Sequence, residues 1–206
     1  MWALVQDGAV TKTFNYGKGF VLNGNQYSAD IFMKWSKAEK EAIGIYEVIV
    51  DKSNYKDPAY YNNTNSTIAF ANGQVTESWG TATPRRLNDE NAVDKDGNPV
   101  LQDGIQVINY GLKTEKKRIV KDQAAGLLAK TDWYVVKATE VSDYTVPADI
   151  TTYRAAVRAK SNEMESMINA CGTVDDLKTL YDYVNTGTEQ NPVMTRPLGE
   201  WPEEVI

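Results

Sequence analysis

Residues 126–171, GLLAKTDWYVVKATEVSDYTVPADITTYRAAVRAKSNEMESMINAC, are the longest segment of this chain in which hydrophobic pattern and helix-end signals agree. Pro147 opens a helix there, because its φ is already helical and its missing N–H would have no partner in a first turn. Beyond Pro147, apolar residues recur every seven positions: Ile150, Val157, Met164 and Cys171. Such a repeat places one apolar seam along one side of a helix. The segment therefore predicts a long amphipathic helix.

The seam has two interpretations. Its apolar residues either pack in the core of their own domain or form a subunit contact around a symmetry axis. Lys160 stands where a further apolar seam residue is expected, which weakens a coiled coil and favours the core. Under the subunit interpretation the interface candidates are Tyr153, Met164 and Met167. The face opposite the seam is predicted to be solvated and carries Arg154, Arg158, Lys160, Glu163 and Glu165.

The strand-like run at 133–136 lies between two predicted helices. We predict that it forms an aromatic corner in which Trp133 and Tyr134 either close a gap between the helices or contact a partner protein. If the corner is core, truncating Trp133 lowers the melting temperature sharply, whereas truncating Trp201 in the C-terminal tail does not.

Two blocks of the sequence resemble proteins of tailed bacteriophages. LLAKTDWYVVK followed by VPADITTYRAAVR resembles the C-terminal part of tail-fibre-assembly-type proteins, in which an LL…TDWYV segment precedes an (I/V)P…YRAAVR segment and a helical end. MWALVQDGAVTKTFNY and WSKAEKEAIGIYEV are similar to short accessory virion proteins encoded near tail-fibre genes. The resemblance implies a virion protein, or an assembly chaperone, made and assembled in the host cytoplasm. Its implied partners are other phage tail or fibre proteins, with a homo-oligomer as a further prediction.

Composition limits the classes of partner. The 206 residues are 42% hydrophobic and 24% charged, which is typical of a globular protein. Twelve tyrosines and five tryptophans favour protein interfaces. The net charge of −6 predicts no nucleic-acid partner. No run approaches the roughly 20 apolar residues that span a bilayer, and MWALVQDG lacks the features of a signal peptide. We therefore predict folding in the cytoplasm without membrane insertion.

Residue usage also limits the chemistry. The chain has no histidine and one cysteine, which excludes Ser-His-Asp and Cys-His catalysis, histidine-ligated zinc and an intrachain disulfide. Cys171 lies on the apolar seam and is predicted to be a buried structural thiol. Carboxylates are plentiful but occur in no recognisable motif, so an envelope glycosidase is the weakest alternative. We predict a non-enzymatic protein with no catalytic residue, metal or cofactor.

Three Asn-Gly or Asp-Gly pairs mark β-hairpins in the first part of the chain. They are Asp7-Gly8, Asn23-Gly24 and Asn72-Gly73, and the type I′ turn of a tight hairpin needs positive φ at both positions. Ser36 and Glu39 form a capping box for one short helix. Residues 1–84 are therefore predicted to be a β-hairpin-rich domain.

Two loops carry candidate binding residues. DPAYYNNTNS lies within a tyrosine-rich loop whose Tyr55, Tyr60 and Tyr61 are candidates for stacking on a receptor sugar, with a polar surface loop as the alternative. DKDGNP has the acidic spacing of a calcium loop, but Pro99 and Ile105 stand where an EF-hand has glycine and glutamate. We predict a turn between short strands there, and a linker or excursion over residues 85–113.

The remaining sequence is predicted to be a helical domain, 114–184, followed by an extended acidic tail, 185–206. Ile119, Val120, Ala124, Leu127 and Leu128 make an apolar helix face beside lysines that are predicted to be solvated. Thr173 and Asp176 have the spacing to cap the last helix. The tail has three prolines and no periodicity, yet it contains Trp201 and other apolar residues. Two alternatives stay open: the tail is disordered, or it docks on a neighbouring subunit through Trp201.

The whole sequence thus predicts an α+β protein, a β-hairpin-rich unit followed by a helical part with a long amphipathic helix. The expected function is a tail or tail-fibre-associated virion component or a fibre-assembly chaperone. The alternative is a structural protein elsewhere in the particle, either a head decoration protein or a baseplate subunit.

Overall fold

The computed structural model describes residues 1–205 and confirms the α+β class, with strands first and a helical C-terminal part. The chain divides into two compact units, Met1–Thr83 and Pro84–Ile206. The division falls one residue before the predicted end of the β-rich part.

The first unit contains β1 (Trp2–Gln6), β2 (Ala9–Phe14), β3 (Phe20–Leu22), β4 (Asn25–Tyr27), α1 (Ile31–Lys34), α2 (Lys37–Ala42), β5 (Ile45–Asp51), β6 (Tyr61–Asn62), β7 (Ser66–Ala71) and β8 (Gln74–Trp79). β9 (Thr83–Pro84) lies at the division. The second unit contains β10 (Glu90–Asn91), β11 (Leu101–Gln102), β12 (Ile105–Gln106), β13 (Ile108–Asn109), α3 (Leu112–Ala129), α4 (Asp132–Glu140), α5 (Ala148–Ala170), α6 (Val174–Tyr181), β14 (Val184–Asn185) and β15 (Met194–Thr195).

The first unit is built on a five-stranded sheet of order β2-β1-β5-β8-β7. Only β5 and β8 run parallel, with Val48 opposite Val75. The three predicted hairpins are confirmed, and each turn has positive φ at both residues, as at Asp7 (52°) and Gly8 (75°). The predicted capping box is confirmed as well, since Ser36 and Glu39 exchange hydrogen bonds at the start of α2.

An aromatic cluster forms one core of this unit. Phe14, Phe20 and Phe32 are buried with ring centroids 5.0 to 6.1 Å apart. Trp2, Tyr27 and Trp35 pack around them. Some of the aromatic residues, which composition alone associates with interfaces, therefore belong to this core.

Residues 85–113, predicted to be a linker or an excursion, belong to the second unit and contain short paired strands. Three short extended segments pair with one another through β10–β13, β11–β12 and the bridge between Val93 and Pro99. The side-chain amide nitrogen of Gln106 donates to three backbone oxygens where these segments meet, those of Ala92, Val100 and Val107. One turn of this element is Asp103-Gly104, with φ of 52° and 77°. It is a fourth hairpin with an Asn-Gly or Asp-Gly turn, carrying the same signal as the other three.

The Asp89 carboxylate, which precedes β10 in the chain, lies at the start of α3. Asp89 accepts hydrogen bonds from the Gly111 N–H at 2.7 Å and the Thr114 hydroxyl at 2.8 Å. The first bond satisfies the N–H of the N-cap residue Gly111, one of the donors that a helix start leaves unpaired. Both bonds hold the pKa of Asp89 below its usual value. α3 consequently begins at Leu112, two residues before the predicted start.

The apolar seam of α5 is core. Ile150, Val157, Met164 and Cys171 are all buried, and α5 packs against α3. The core interpretation of the seam is therefore confirmed. Of the interface candidates on α5, Tyr153 and Met164 are buried within their own unit, so their side chains are not available to a partner. Met167 is half-buried. Burial raises the pKa of the Cys171 thiol.

The lysines of α3 were predicted to be solvated, but three of them contact other side chains of the second unit. The Lys116 ammonium lies 4.7 Å from the Tyr181 ring, Lys117 donates to Asn169 at 3.1 Å, and Lys121 pairs with Glu165 at 3.3 Å. Ile119, predicted on the apolar face, is exposed. None of the helices within residues 1–205 combines the length and apolar character needed to cross a membrane.

Candidate functional site

The segment predicted as a strand-like corner is the helix α4. The helix begins at Asp132, and none of the strand pairs formed by residues 1–205 includes this segment. A nine-residue helix satisfies most backbone groups within the segment, which a single unpaired strand does not. The first-turn acid Asp132 favours a helix start, because it is stabilised by the N-terminal end of the helix dipole. That signal was present in the sequence and was missed.

Arg154 fixes the start of α4 relative to the end of α3. Its guanidinium donates to the Leu128 carbonyl at 2.8 Å and to the Thr131 hydroxyl at 2.7 Å, and it pairs with Asp132 at 2.8 Å. Arg154 was predicted on the solvated face of α5 but is only 8% exposed. A planar guanidinium with several fixed donors suits this position, because the last carbonyls of α3 lack helical partners.

None of the nine residues of α4 is buried. Trp133 is 53% exposed and Val136 is 51% exposed, whereas Tyr134 and Ala138, on the side of the helix nearest the unit, are half-buried. The prediction that Trp133 fills a gap in the core is therefore wrong. Trp133, Val136, Lys137 and Glu140 share one side of the helix because of their spacing. We call these four residues the α4 face.

The cation of the α4 face lies over aromatic rings. The Lys137 ammonium is 4.3 Å from the centroid of Tyr144 and 5.7 Å from that of Trp133, within the range of a cation–π contact. The Trp133 and Tyr134 rings lie 3.9 Å apart. Neither Lys137 nor Glu140 forms an ion pair in the part of the chain that the structure describes. The α4 face thus combines exposed apolar surface with two charges that lack an oppositely charged partner among residues 1–205.

The C-terminal tail packs on its own unit. We call residues 196–205 the strap. Leu198 is 2% exposed, and its N–H donates to the Leu180 carbonyl at 3.0 Å. Trp201 packs on the α3–α5 contact, and its indole N–H donates to Gln123 at 3.2 Å. Lys130 pairs with Glu204. The strap is therefore ordered, and its apolar residues pack on their own unit.

The strap covers two residues of α5, Lys160 and Tyr153. Gly199 has φ of +78°, and a Cβ there would collide with the Lys160 ammonium. Lys160 therefore occupies its seam position because it lies under the strap, where it also pairs with Glu163 at 2.9 Å. Tyr153 is buried beside Trp201, and its hydroxyl has no hydrogen-bond partner among the described residues. Burial raises the pKa of Tyr153, and the Glu204 carboxylate raises it further.

The tyrosine-rich loop does not present its three tyrosines to a ligand. Tyr60 is 5% exposed and Tyr61 is 3% exposed, and the Lys56 ammonium lies 4.3 Å from the Tyr61 ring. Tyr55 is the exposed one, and its ring packs edge-on against Trp79 at 5.3 Å. The prediction that all three side chains form a receptor surface is wrong, because two of them are core residues of the first unit.

The DKDGNP turn is closed by its own backbone. Asp94 accepts from the N–H groups of Asp96 and Asn98, each at 2.9 Å, as the predicted turn requires. Across residues 1–205, no three or more His, Cys, Asp or Glu side chains are grouped so that they can hold a metal ion.

Comparison with known proteins adds no relative. Neither a protein-family model, nor a curated protein, nor a solved structure matches this chain. The α4 face is thus described from its own geometry: an exposed tryptophan and valine beside one cation and one anion, on a helix held in place by Arg154.

Proposed function

We propose that this chain is a non-enzymatic protein of a tailed-bacteriophage tail, either a fibre-associated component of the particle or a chaperone of fibre assembly. The protein acts by contact with other proteins, and the α4 face is its contact surface.

One observation carries the proposal. The residues DWYVV, within the block that carries the resemblance to tail-fibre-assembly proteins, lie in the helix α4, which has no buried residue. Its tryptophan therefore contributes little to the core of its own unit. Exposed tryptophans flanked by apolar residues are typical centres of protein–protein contacts, where a few aromatic side chains supply most of the binding energy. The resemblance supplies the class of partner, and the exposure supports the contact.

The test compares particles made with the unchanged chain and with Trp133→Ala. Quantitative mass spectrometry of purified particles measures the copy number of the protein and of the fibre. We expect Trp133→Ala to keep the melting temperature of the isolated protein but to reduce its incorporation, or the incorporation of the fibre if the protein is a chaperone. Tyr16→Ala is a matched control, because Tyr16 is an exposed aromatic residue outside α4.

The copy number also separates the forms of the proposal. A fibre-associated component is present at a small multiple of the fibre number, whereas a chaperone is absent from the particle although fibres fail to attach without it. A copy number close to that of the head subunits would contradict the tail assignment. A Trp133→Ala protein that assembles normal particles would contradict the role of the α4 face.

A further inference from the structure

The two halves of the strap are held in different ways. Leu198 is buried, and its N–H donates to the Leu180 carbonyl. After Gly199, the backbone of residues 200–205 forms no hydrogen bond within the part of the chain that the structure describes. A segment without backbone hydrogen bonds opens at low cost. The end of the strap can therefore leave its place while Leu198 stays anchored.

Side chains alone hold residues 200–205 on the second unit. Trp201 and Val205 supply the apolar contacts, and both remain half-buried. The polar contacts are the indole hydrogen bond to Gln123, the ion pair of Glu204 with Lys130, and the hydrogen bonds that the Glu200 carboxylate accepts from Tyr183 and Arg196.

The end of the strap covers an apolar groove between α3 and α5. We call Ala124, Leu127, Leu128, Tyr153 and Val157 the α3–α5 groove. The Tyr153 hydroxyl is buried there and has no hydrogen-bond partner among residues 1–205. A buried polar group without a partner is unfavourable, so the strap satisfies the groove only in part.

We infer that the α3–α5 groove binds an extended segment of another protein, and that residues 200–205 of the strap occupy the groove until that segment displaces them. The segment carries an aromatic residue, an acidic residue three positions later and an apolar residue directly after the acid. The groove is separate from the α4 face, and the inference does not depend on the proposed function.

The contacts of the strap define what the groove recognises. The Trp201 indole packs on apolar side chains and donates to Gln123 at 3.2 Å. Lys130, at the C-terminal end of α3, pairs with the Glu204 carboxylate. Three extended residues span about 10 Å, which sets the distance between the aromatic and the acidic positions. A segment that also offers an acceptor to the Tyr153 hydroxyl makes one hydrogen bond more than the strap does, and it is thereby able to replace the strap.

The strap competes with any incoming segment. The apparent dissociation constant of a ligand is its intrinsic value divided by the fraction of molecules in the state that binds it. A change that weakens the strap but leaves the groove intact therefore tightens the binding of a free segment. Trp201→Ala is such a change, because Trp201 belongs to the strap and not to the groove.

The test is the binding of a labelled peptide to the full chain, measured by fluorescence anisotropy. The peptide RPLGEWPEEVI has the sequence of residues 196–206. We expect it to bind the Trp201→Ala chain up to about 30-fold more tightly than the unchanged chain. Glu204→Lys, which opens the strap by placing a like charge beside Lys130, should tighten binding by about threefold. Met194→Ala, in the exposed hairpin before the strap, is the matched control and should leave the affinity unchanged.

A charge swap tests where the acidic residue of the peptide lies. We expect Lys130→Glu, added to the Trp201→Ala chain, to weaken binding of the peptide. A peptide that carries Glu204→Lys should bind this double variant better than the original peptide does. A peptide that carries Trp201→Ala should bind neither chain, because it lacks the aromatic anchor. Circular-dichroism melts check that every variant chain is folded.

Four outcomes would overturn the inference. Three are a folded Trp201→Ala chain that does not bind the peptide, equal affinity of that chain for the peptides with and without the tryptophan, and equal affinity of the unchanged and the Trp201→Ala chains for the original peptide. The fourth is a concentration-dependent dimer of the Glu204→Lys chain in sedimentation velocity, which would make the strap of a second copy the occupant.

These failures are distinct from failure of the proposed function. We expect Trp133→Ala to leave peptide binding unchanged, because Trp133 lies on the α4 face. Absence of peptide binding, together with particle incorporation that depends on Trp133, would overturn the groove and leave the proposed function in place.

Discussion

α4 and the strap, both in the second unit, each have a degree of burial opposite to the one that their composition suggests. α4 is rich in aromatic and β-branched residues, yet none of its side chains is buried. The strap is acidic and contains two prolines, yet Leu198 is almost fully buried and Trp201 covers the contact between α3 and α5. The difference shows that hydrophobicity within a segment does not decide burial. Burial depends on whether another element has an apolar surface at the right place.

The largest effect on stability is expected at Leu198, in the strap. Leu198→Ala removes a fully buried side chain that anchors the strap, and we expect a loss of about 3 kcal/mol in the free energy of unfolding. Met194→Ala, in the exposed hairpin just before the strap, is the matched control and is expected to change little. Urea unfolding of both variants measures the difference. Equal midpoints would show that the strap does not hold the fold together.

Trp201→Ala should have the second-largest effect. The indole packs on Ala124, Tyr153 and Val157 and donates to Gln123. Because it is half-buried, we expect a loss of about 2 kcal/mol, less than the roughly 3–5 kcal/mol of a fully buried tryptophan. Thermal melts give the comparison, and a Trp201→Ala protein as stable as the unchanged chain would contradict the packing of the strap.

Arg154→Leu tests how α4 is held. The substitution leaves the Leu128 carbonyl and the Thr131 hydroxyl without their charged donor, and we expect a loss of about 1–2 kcal/mol. Arg158→Leu, on an exposed position of the same helix, is the control. Hydrogen exchange should become faster in α4 for the Arg154 variant alone. Unchanged protection of α4 would mean that Arg154 does not fix it.

A smaller effect on stability is expected when the pH is lowered and the Asp176 carboxylate becomes protonated. Hydrogen bonds from the Thr173 hydroxyl and backbone N–H hold the pKa of Asp176 below its usual value of 3.8. A lowered folded-state pKa gives stability that is present above the unfolded-state pKa and is lost as the pH falls through the folded-state value. Asp176→Asn should therefore reduce the fall in melting temperature between neutral pH and a pH below that of the folded carboxyl. An identical fall in both proteins would contradict the cap at the start of α6.

The smallest effect on stability is expected for Trp133→Ala. Because half of the indole is exposed and no residue of α4 is buried, we expect a change within about 0.5 kcal/mol. This reverses the expectation from the sequence, in which Trp133 is the stabilising tryptophan and Trp201 is not. Side-by-side melts of Trp133→Ala and Trp201→Ala decide the order. A sharper drop for Trp133→Ala would place α4 in the core.

Features governed by near neighbours in the chain were predictable. The Asp-Gly and Asn-Gly turns form because adjacent residues must both take positive φ, and the capping boxes at Ser36 and Thr173 form between residues three apart. The α5 seam is core because a regular repeat of apolar residues has one stable place, against another apolar surface. These features needed no knowledge of what packs beside them.

Only the tertiary structure decided the status of the candidate site. Whether TDWYVV forms a strand or a helix depended on its place in the fold, where it belongs to none of the described strand pairs and where Arg154 reaches the end of α3 from another part of the chain. Whether Trp201 is loose or packed depended on the apolar surface between α3 and α5, and whether Tyr60 and Tyr61 are exposed depended on the packing of the first unit. The sequence by itself therefore determined the hairpin turns, the helix caps and the buried side of the long helix. The fold determined which aromatic residues remain available for contact, because burial depends on surfaces brought together from residues far apart in the chain.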